Sequence, residues 1–201
     1  MTDTIERLRS RLHDAREALE AEIDARRARF RYRLRGRRVE FGPEVREAHR
    51  AARESLRSFL ARTRLLVVLS APFIYALILP LVLLDIFVSL YQAVCFPVYG
   101  IAKVARHDHI AIDRHHLAYL NGLQKLNCVY CGYANGVLSL AREVASRTEA
   151  YWCPIKHARR VADPHDRMPG FADYGDAEGF RQETAPEGQA RAGPATPSDG
   201  S

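Results

Sequence analysis

Four residues in the second half of the chain have the types and spacing of a zinc site. Cys128 and Cys131 form a Cys-x2-Cys pair, and Cys153 and His157 follow as Cys-x3-His. Three thiolates and one imidazole complete the tetrahedral ligand set that zinc prefers in proteins. We therefore predict a metal site with these four ligands, most simply a structural zinc.

The cysteines also allow other interpretations. Cys128 and Cys131 could be thiols packed in a core, with His157 on the surface, because buried free cysteine is common. They could form a redox dithiol, although the strand-then-helix context of a thioredoxin-like site is missing. Cys95 could replace His157 as a ligand, or it could fill an apolar position at a membrane boundary.

A histidine-rich stretch precedes the first cysteine pair. His107, His109, His115 and His116 lie among aspartates and an arginine, a density that suits a second metal site or acid–base chemistry. Their spacing matches no ligand template, however. The favoured interpretation is a group of polar side chains at the edge of a membrane.

An arginine tract near the N-terminus alternates with apolar and aromatic residues. Alternation places one set of side chains on each face of a strand, and Gly36 could turn the chain into a second strand, Arg38–Phe41. We predict that the arginine face binds anionic lipid headgroups; a solvated face without a partner is the alternative, and nucleic acid is disfavoured. The lipid-facing residues are Arg27, Arg29, Arg31, Arg33, Arg35 and Arg37.

A long apolar block follows and contains a single charged residue, Asp85. Leu65 to Leu84 is a run of 20 uncharged residues, and 17 more continue to Ala102. Because little sequence remains to bury such a block, we predict membrane insertion. A carboxylate in hydrocarbon is costly unless it is paired, lines a polar cavity or lies near an interface.

The block is too long for one straight crossing, and Pro80 lies near its middle. A break there predicts segments 65–79 and 81–98 in a hairpin that returns the chain to its starting side. A single span and a wedge in the inner leaflet are the alternatives. Basic residues flank the block on both sides, which favours two cytoplasmic flanks.

Charge and periodicity divide the chain further. The net charge of +6 combines basic flanks with an acidic end, and four cysteines are too few for a disulfide-dense scaffold. We predict helices over 113–126 and 135–150 and a short helix from Pro154, with Cys153 as its N-cap. The predicted segments are an amphipathic helix (1–25), an Arg-rich β-hairpin (26–42), an amphipathic helix (43–64), the membrane-inserted block (65–102), a Cys/His cap (103–160), an acidic extension (161–183) and a disordered tail (184–201).

Several stretches resemble an uncharacterised family of bacterial inner-membrane proteins. They are YQAVCFPVYGIAKV (91–104), NCVYCGYANG (127–136), RTEAYWCPIKHA (147–158) and FADYGD (171–176). The resemblance covers roughly residues 60–180, and the two cysteine segments are its most specific parts. It implies a bacterial inner-membrane protein and supplies no catalytic residue.

Together these patterns predict a mainly α protein, anchored in the membrane with its bulk in the cytoplasm. The expected function is that of a metal-binding scaffold or interaction protein, with its N-terminal helix offered to a protein partner. The alternative is a membrane-bound metalloenzyme acting on a lipid or a quinone. A structural zinc site would be closed by four protein ligands, whereas a catalytic one keeps a position open to water.

Overall fold

The computed structural model describes residues 2–29, 32–35 and 38–185, and within them the protein is mostly helical. The predicted mainly α class with a small pair of strands is confirmed. Strands β1 (Tyr32–Arg35) and β2 (Arg38–Phe41) pair antiparallel, with Tyr32 opposite Phe41. The helices are α1 (Thr2–Arg29), α2 (Pro43–Ala51), α3 (Leu56–Arg62), α4 (Leu65–Ala76), α5 (Ile78–Tyr99), α6 (Arg106–His109), α7 (Gly122–Trp152) and α8 (Ala177–Thr184).

The chain forms two compact units. Of the described residues, the first unit contains those up to residue 62 together with 113–126, and the second contains 63–112 and 127–185.

In the first unit, two of the predicted boundaries are wrong. Helix α1 extends through Arg27 and Arg29, so these arginines are helical and not part of a strand. Arginine and alanine are good helix formers, and the Arg26–Glu22 ion pair supports the last turns. The helix predicted over 43–64 is divided into α2 and α3, because Ser55 accepts a hydrogen bond from the backbone N–H of Ser58 and starts a new helix.

A single long helix replaces the two helices that were predicted over 113–126 and 135–150. Asn121 and Gln124 form a reciprocal capping box, with hydrogen bonds of 2.9 and 3.0 Å, and α7 begins immediately after Asn121. Before it, residues 114–116 form only a 3-10 turn. The Asn135–Gly136 pair, which would favour a turn, lies inside α7.

Gly136 lies where another part of the chain comes too close to α7 for a larger side chain. A Cβ atom at this position would lie 2.8 Å from the Cα atom of Ile110. Glycine therefore allows the segment before Ile110 to approach the helix backbone closely.

The apolar block forms α4 and α5, which Leu77 alone separates. Leu77 has right-handed helical angles (φ −63°, ψ −14°), so no reversing loop lies between the two helices. The interruption precedes Pro80 because proline has no N–H to bond the carbonyl of Ala76. A hairpin that turns at Pro80 is thus not what the structure shows, and Leu65–Tyr99 forms one helical stretch that is long and apolar enough to cross a membrane.

After α5, the chain turns back and fills the space beside α7. Gly100 ends the helix in the left-handed region (φ 71°). The backbone N–H of Val104 then donates to Gln92 on α5 (3.0 Å), while Arg147 on α7 donates to the carbonyl of Ala102 (2.6 Å). This returning segment, 101–110, joins the small core of Phe96, Val104, Leu140 and Val144.

The C-terminal part of the second unit also differs from the expectation. Helix α7 ends at Trp152 because a residue before proline disfavours helical angles, and the predicted helix from Pro154 is not formed. Cys153 is therefore not a helix N-cap. Ile155 instead forms a parallel bridge with Ala172. Helix α8 lies in the predicted acidic extension except for its last residue, Thr184, which belongs to the tail predicted as disordered and is helical. Of the tail predicted as disordered, residues 186–201 lie outside the described residues.

An ion network fastens residues 165–167 to α7. Arg147 and Arg167 both donate to Glu143, and His165 lies 2.9 Å from Glu149. Burial alone would raise the pKa of Glu143, but the hydrogen bonds from Arg167 and Arg147 outweigh it and lower that pKa.

Candidate functional site

Asp85, the one charged residue of the apolar block, is the centre of a polar cluster in the second unit. Its side chain is only 10% exposed. Arg106 from α6 donates to both carboxylate oxygens, at 2.6 Å for Nη2–Oδ2. Tyr133 from α7 donates to Oδ2 (2.8 Å), and Ser89, one turn further along α5, donates to Oδ1 (3.4 Å). The cluster thus joins three helices.

The neighbouring groups respond to this carboxylate. Its hydrogen bonds raise the pKa of Arg106 further above the usual range. The pKa of Tyr133 is raised mainly by burial and, to a smaller extent, by its hydrogen bond to Asp85. Both groups therefore keep their protons at neutral pH and remain donors to Asp85.

The geometry defines what the cluster can do chemically. A carboxylate offers about four acceptor positions, and Arg106, Tyr133 and Ser89 occupy four. Asp85 is therefore closed to a substrate and could act as a base only if the Arg106 pair broke. The cluster instead fastens the returning segment to α5 and neutralises a charge inside the apolar block.

Two helices run side by side in the same direction around this cluster. Tyr75 donates to Asn127, Tyr91 bonds with Thr148 (3.2 Å), and the ring of Tyr99 stacks on that of Tyr151. Residue numbers therefore rise together along α4–α5 and α7. One face of the apolar stretch consequently carries polar contacts at several levels, at Tyr75, Asp85 and Gln92.

The opposite face of the apolar stretch is uncovered. No part of its most apolar window is buried. The large hydrophobic residues of α5 that are more than half exposed recur mostly at three- and four-residue steps: Leu79, Leu83, Ile86, Phe87, Leu90, Val94 and Val98. We call this set the apolar face.

The structure does not bring the four predicted zinc ligands together. Cys128 and Cys131 lie one turn apart in the first half of α7, and Cys153 follows the last residue of the same helix. The 22 positions from Cys131 to Cys153 correspond to about 33 Å of helix, whereas ligands of one zinc ion lie about 2 Å from the metal. These residues therefore do not fit a common ion in this structure.

The remaining metal candidates are also dispersed. Cys95 is half-buried on α5, and His157 lies beyond α7 beside a shallow cavity of about 310 Å³ that Lys156 and Arg160 also line. All four cysteines are free. Within the described ranges, no group of three or more His, Cys, Asp or Glu side chains is arranged to hold a metal ion.

The histidine-rich stretch is divided between the two units. His107 contacts Asp108 (3.2 Å) and His109 contacts Ser139 (2.9 Å), both in the second unit. The rings of His115 and His116 contact each other in the first unit, with centroids 3.9 Å apart and planes inclined by 41°.

The six arginines predicted to face lipid also lie on different elements. Arg27 and Arg29 belong to α1, and Arg33 and Arg35 belong to β1. Arg31 and Arg37 lie outside the described residues.

Sequence reasoning did not identify Arg106 and Tyr133 as partners of Asp85. In the sequence Arg106 is only one of the basic residues that flank the block, and Tyr133 is one residue of the segment NCVYCGYANG. A lone acid in an apolar run indicates a partner, a polar cavity or an interface, but it does not say which of these applies or which residue is the partner.

Within the described residues the protein is mostly helical and has one apolar helical stretch, Leu65–Tyr99. Arg106 neutralises the single charge of this stretch, Asp85, and the apolar face is exposed. Comparison with protein-family models, curated proteins and solved structures finds no match for this chain.

Proposed function

We propose that this protein is a membrane-anchored interaction protein, held in the bilayer by the stretch Leu65–Tyr99. The observation that supports this is the exposure of the apolar face. Soluble monomers rarely expose continuous apolar patches larger than a few hundred Å². A bilayer would remove this face from water, which favours insertion by roughly 25 cal/mol for each Å² buried.

The contacts on the opposite face support one-sided insertion. The Asp85–Arg106 pair and the bond from Val104 to Gln92 lie along α5, where lipid on all sides would surround charged groups of the returning segment. We infer that the apolar face enters one leaflet of the bilayer, while the face that carries Asp85 and Gln92 stays in contact with the rest of the second unit. Basic residues before and after the stretch, Arg64 and Lys103, then lie on the same side, which the positive-inside rule assigns to the cytoplasm.

The interaction role rests on α1. Its apolar residues recur at three- and four-residue steps, and those whose side chains are described are exposed: Leu8, Leu12, Leu19 and Ile23. An apolar seam on an otherwise charged helix suits a partner helix. The resemblance noted above adds a bacterial inner membrane as the location. Because the predicted zinc ligands are separated, metal binding forms no part of this proposal.

The anchor can be tested with lysine substitutions on the apolar face. We expect the double variant Leu83→Lys/Phe87→Lys to move from the membrane fraction to the alkaline carbonate extract, because two charged side chains would then have to enter the hydrocarbon of the leaflet. The measurement is the share of protein that sediments with membranes after carbonate washing.

A leucine of equal exposure supplies the control. Leu138 on α7 is 54% exposed, close to the 55% of Leu83, but it lies outside the apolar stretch. Leu138→Lys should stay with the membranes. Equal behaviour of the two variants would contradict anchoring by the apolar face, and reporters on opposite sides of the membrane at the two termini would contradict one-sided insertion.

A further inference from the structure

The first unit contains a cavity of about 850 Å³ that the membrane proposal does not use. Strand β2, helix α2 and the segment 116–125 form its walls. The described residues that line it are Val39, Glu40, Phe41, Arg46, His49, Arg50, Arg53, His116, Ala118 and Lys125. We call it the basic cavity.

Positive charge dominates the lining. Arg46, Arg50, Arg53 and Lys125 face one described carboxylate, that of Glu40. The side chains of these four cations make no hydrogen bond or ion pair with another described residue. In the second unit, by contrast, Arg106, Arg142, Arg147 and Arg167 each pair with a carboxylate.

Three of the cations are close together along the chain. Arg46 and Arg50 lie one turn apart on α2, and Arg53 follows shortly after the end of this helix. Positive charges gathered in this way attract an anion. Guanidinium groups match the oxygens of a phosphate group and can bind it with two parallel hydrogen bonds.

His49 adds a fixed polar group to the same wall. Its ring packs edge-on between Phe41 and Tyr119, with both centroid distances 5.0 Å. Its Nδ1 atom is buried and has no hydrogen-bond partner among the described residues. The ring therefore holds this wall in place by aromatic packing, and the cations of the lining carry the argument for an anion.

We propose that the basic cavity binds a phosphate-bearing anion. Its volume falls within the range of small-molecule sites and exceeds the need of a single phosphate group, so a larger phosphorylated molecule fits. Two sources share this chemistry: the headgroup of an acidic lipid and a soluble phosphate compound. The cavity residues differ from Arg27–Arg37, so this site is separate from the arginine tract.

The test uses the full chain in a non-ionic detergent, titrated with inorganic pyrophosphate by calorimetry. We expect Arg50→Gln/Arg53→Gln to raise the dissociation constant about tenfold for each arginine lost, because a charge-assisted hydrogen bond contributes roughly this factor. Both arginines are exposed, so the fold should persist, and circular dichroism checks this. Arg57→Gln, on α3 and outside the lining, is the matched control and should bind like the unaltered protein.

A second arm identifies the source of the phosphate. Vesicles of phosphatidylcholine are compared with vesicles that contain about a fifth of phosphatidic acid, and flotation measures the bound fraction. If Arg50→Gln/Arg53→Gln binds less than Arg57→Gln only to the vesicles with phosphatidic acid, the ligand is a lipid headgroup. If it binds less only to pyrophosphate, the ligand is a soluble phosphate compound. If the two variants bind equally to both probes, the proposal of an anion site is overturned. This outcome does not depend on whether the apolar face anchors the protein in a membrane.

Discussion

At the scale of single residues, Asp85 shows how the chain tolerates a charge in an apolar helix. Arg106 reaches it from 21 positions further along the chain and binds both carboxylate oxygens. Tyr133 and Ser89 complete the shell. Removal of Arg106 would leave the buried carboxylate of Asp85 without its counter-charge, which costs more than the pair itself contributes.

We expect Arg106→Gln to lower the free energy of unfolding by about 2 kcal/mol, because Asp85 would remain buried without its counter-charge. Thermal unfolding in detergent, followed by circular dichroism, measures the change. The double variant Asp85→Leu/Arg106→Leu should recover most of the loss, since it leaves no unpaired charge.

Arg142 is the matched control for this pair. Its side chain is 48% exposed, as is that of Arg106, but its partner Asp163 is 80% exposed. Arg142→Gln should change stability by less than about 0.5 kcal/mol, as is usual for surface pairs. If Arg106→Gln and Arg142→Gln lowered the free energy of unfolding equally, the burial of Asp85 would not contribute to the effect.

At the scale of elements, α7 determines the arrangement of the second unit. It runs beside α5, carries the buried side chains of Leu140 and Val144, and receives the returning segment at Gly136. Its uninterrupted length is also what separates Cys131 from Cys153.

We predict that Gly136→Ala lowers the free energy of unfolding by about 2 kcal/mol, because the new methyl group would overlap Ile110. The same unfolding measurement applies. Gly122, in the first turn of α7, has nothing within 4 Å of its added Cβ. Gly122→Ala should therefore be neutral or stabilising, by about 1 kcal/mol at most. If both variants behave alike, the close approach at Gly136 is not important for the fold.

At the scale of the whole molecule, the thiols are distributed along the second unit and not gathered. Cys131 and Cys153 are exposed, while Cys95 and Cys128 are half-buried. The zinc site thus stays a prediction of the sequence that this arrangement does not support.

We expect the purified protein to contain much less than one zinc ion per chain by elemental mass spectrometry. A thiol reagent without chelator should label Cys131 and Cys153 faster than Cys95 and Cys128, and all four equally in denaturant. Stoichiometric zinc that is lost in both Cys131→Ser and Cys153→Ser would contradict the continuous α7 and restore the predicted site.

The sequence by itself determined the features that depend on local pattern. Composition defined the apolar stretch, residue periodicity defined the helical class, and the alternation around Gly36 placed the two strands. Local patterns do not indicate what distant parts of the chain decide, and the close approach of Ile110 to Gly136 inside α7 is one such feature. The partners of Asp85, the basic cavity and the separation of the cysteines were decided only by the tertiary structure. Each depends on which distant segments pack together, and residue spacing along the chain carries little information about such contacts.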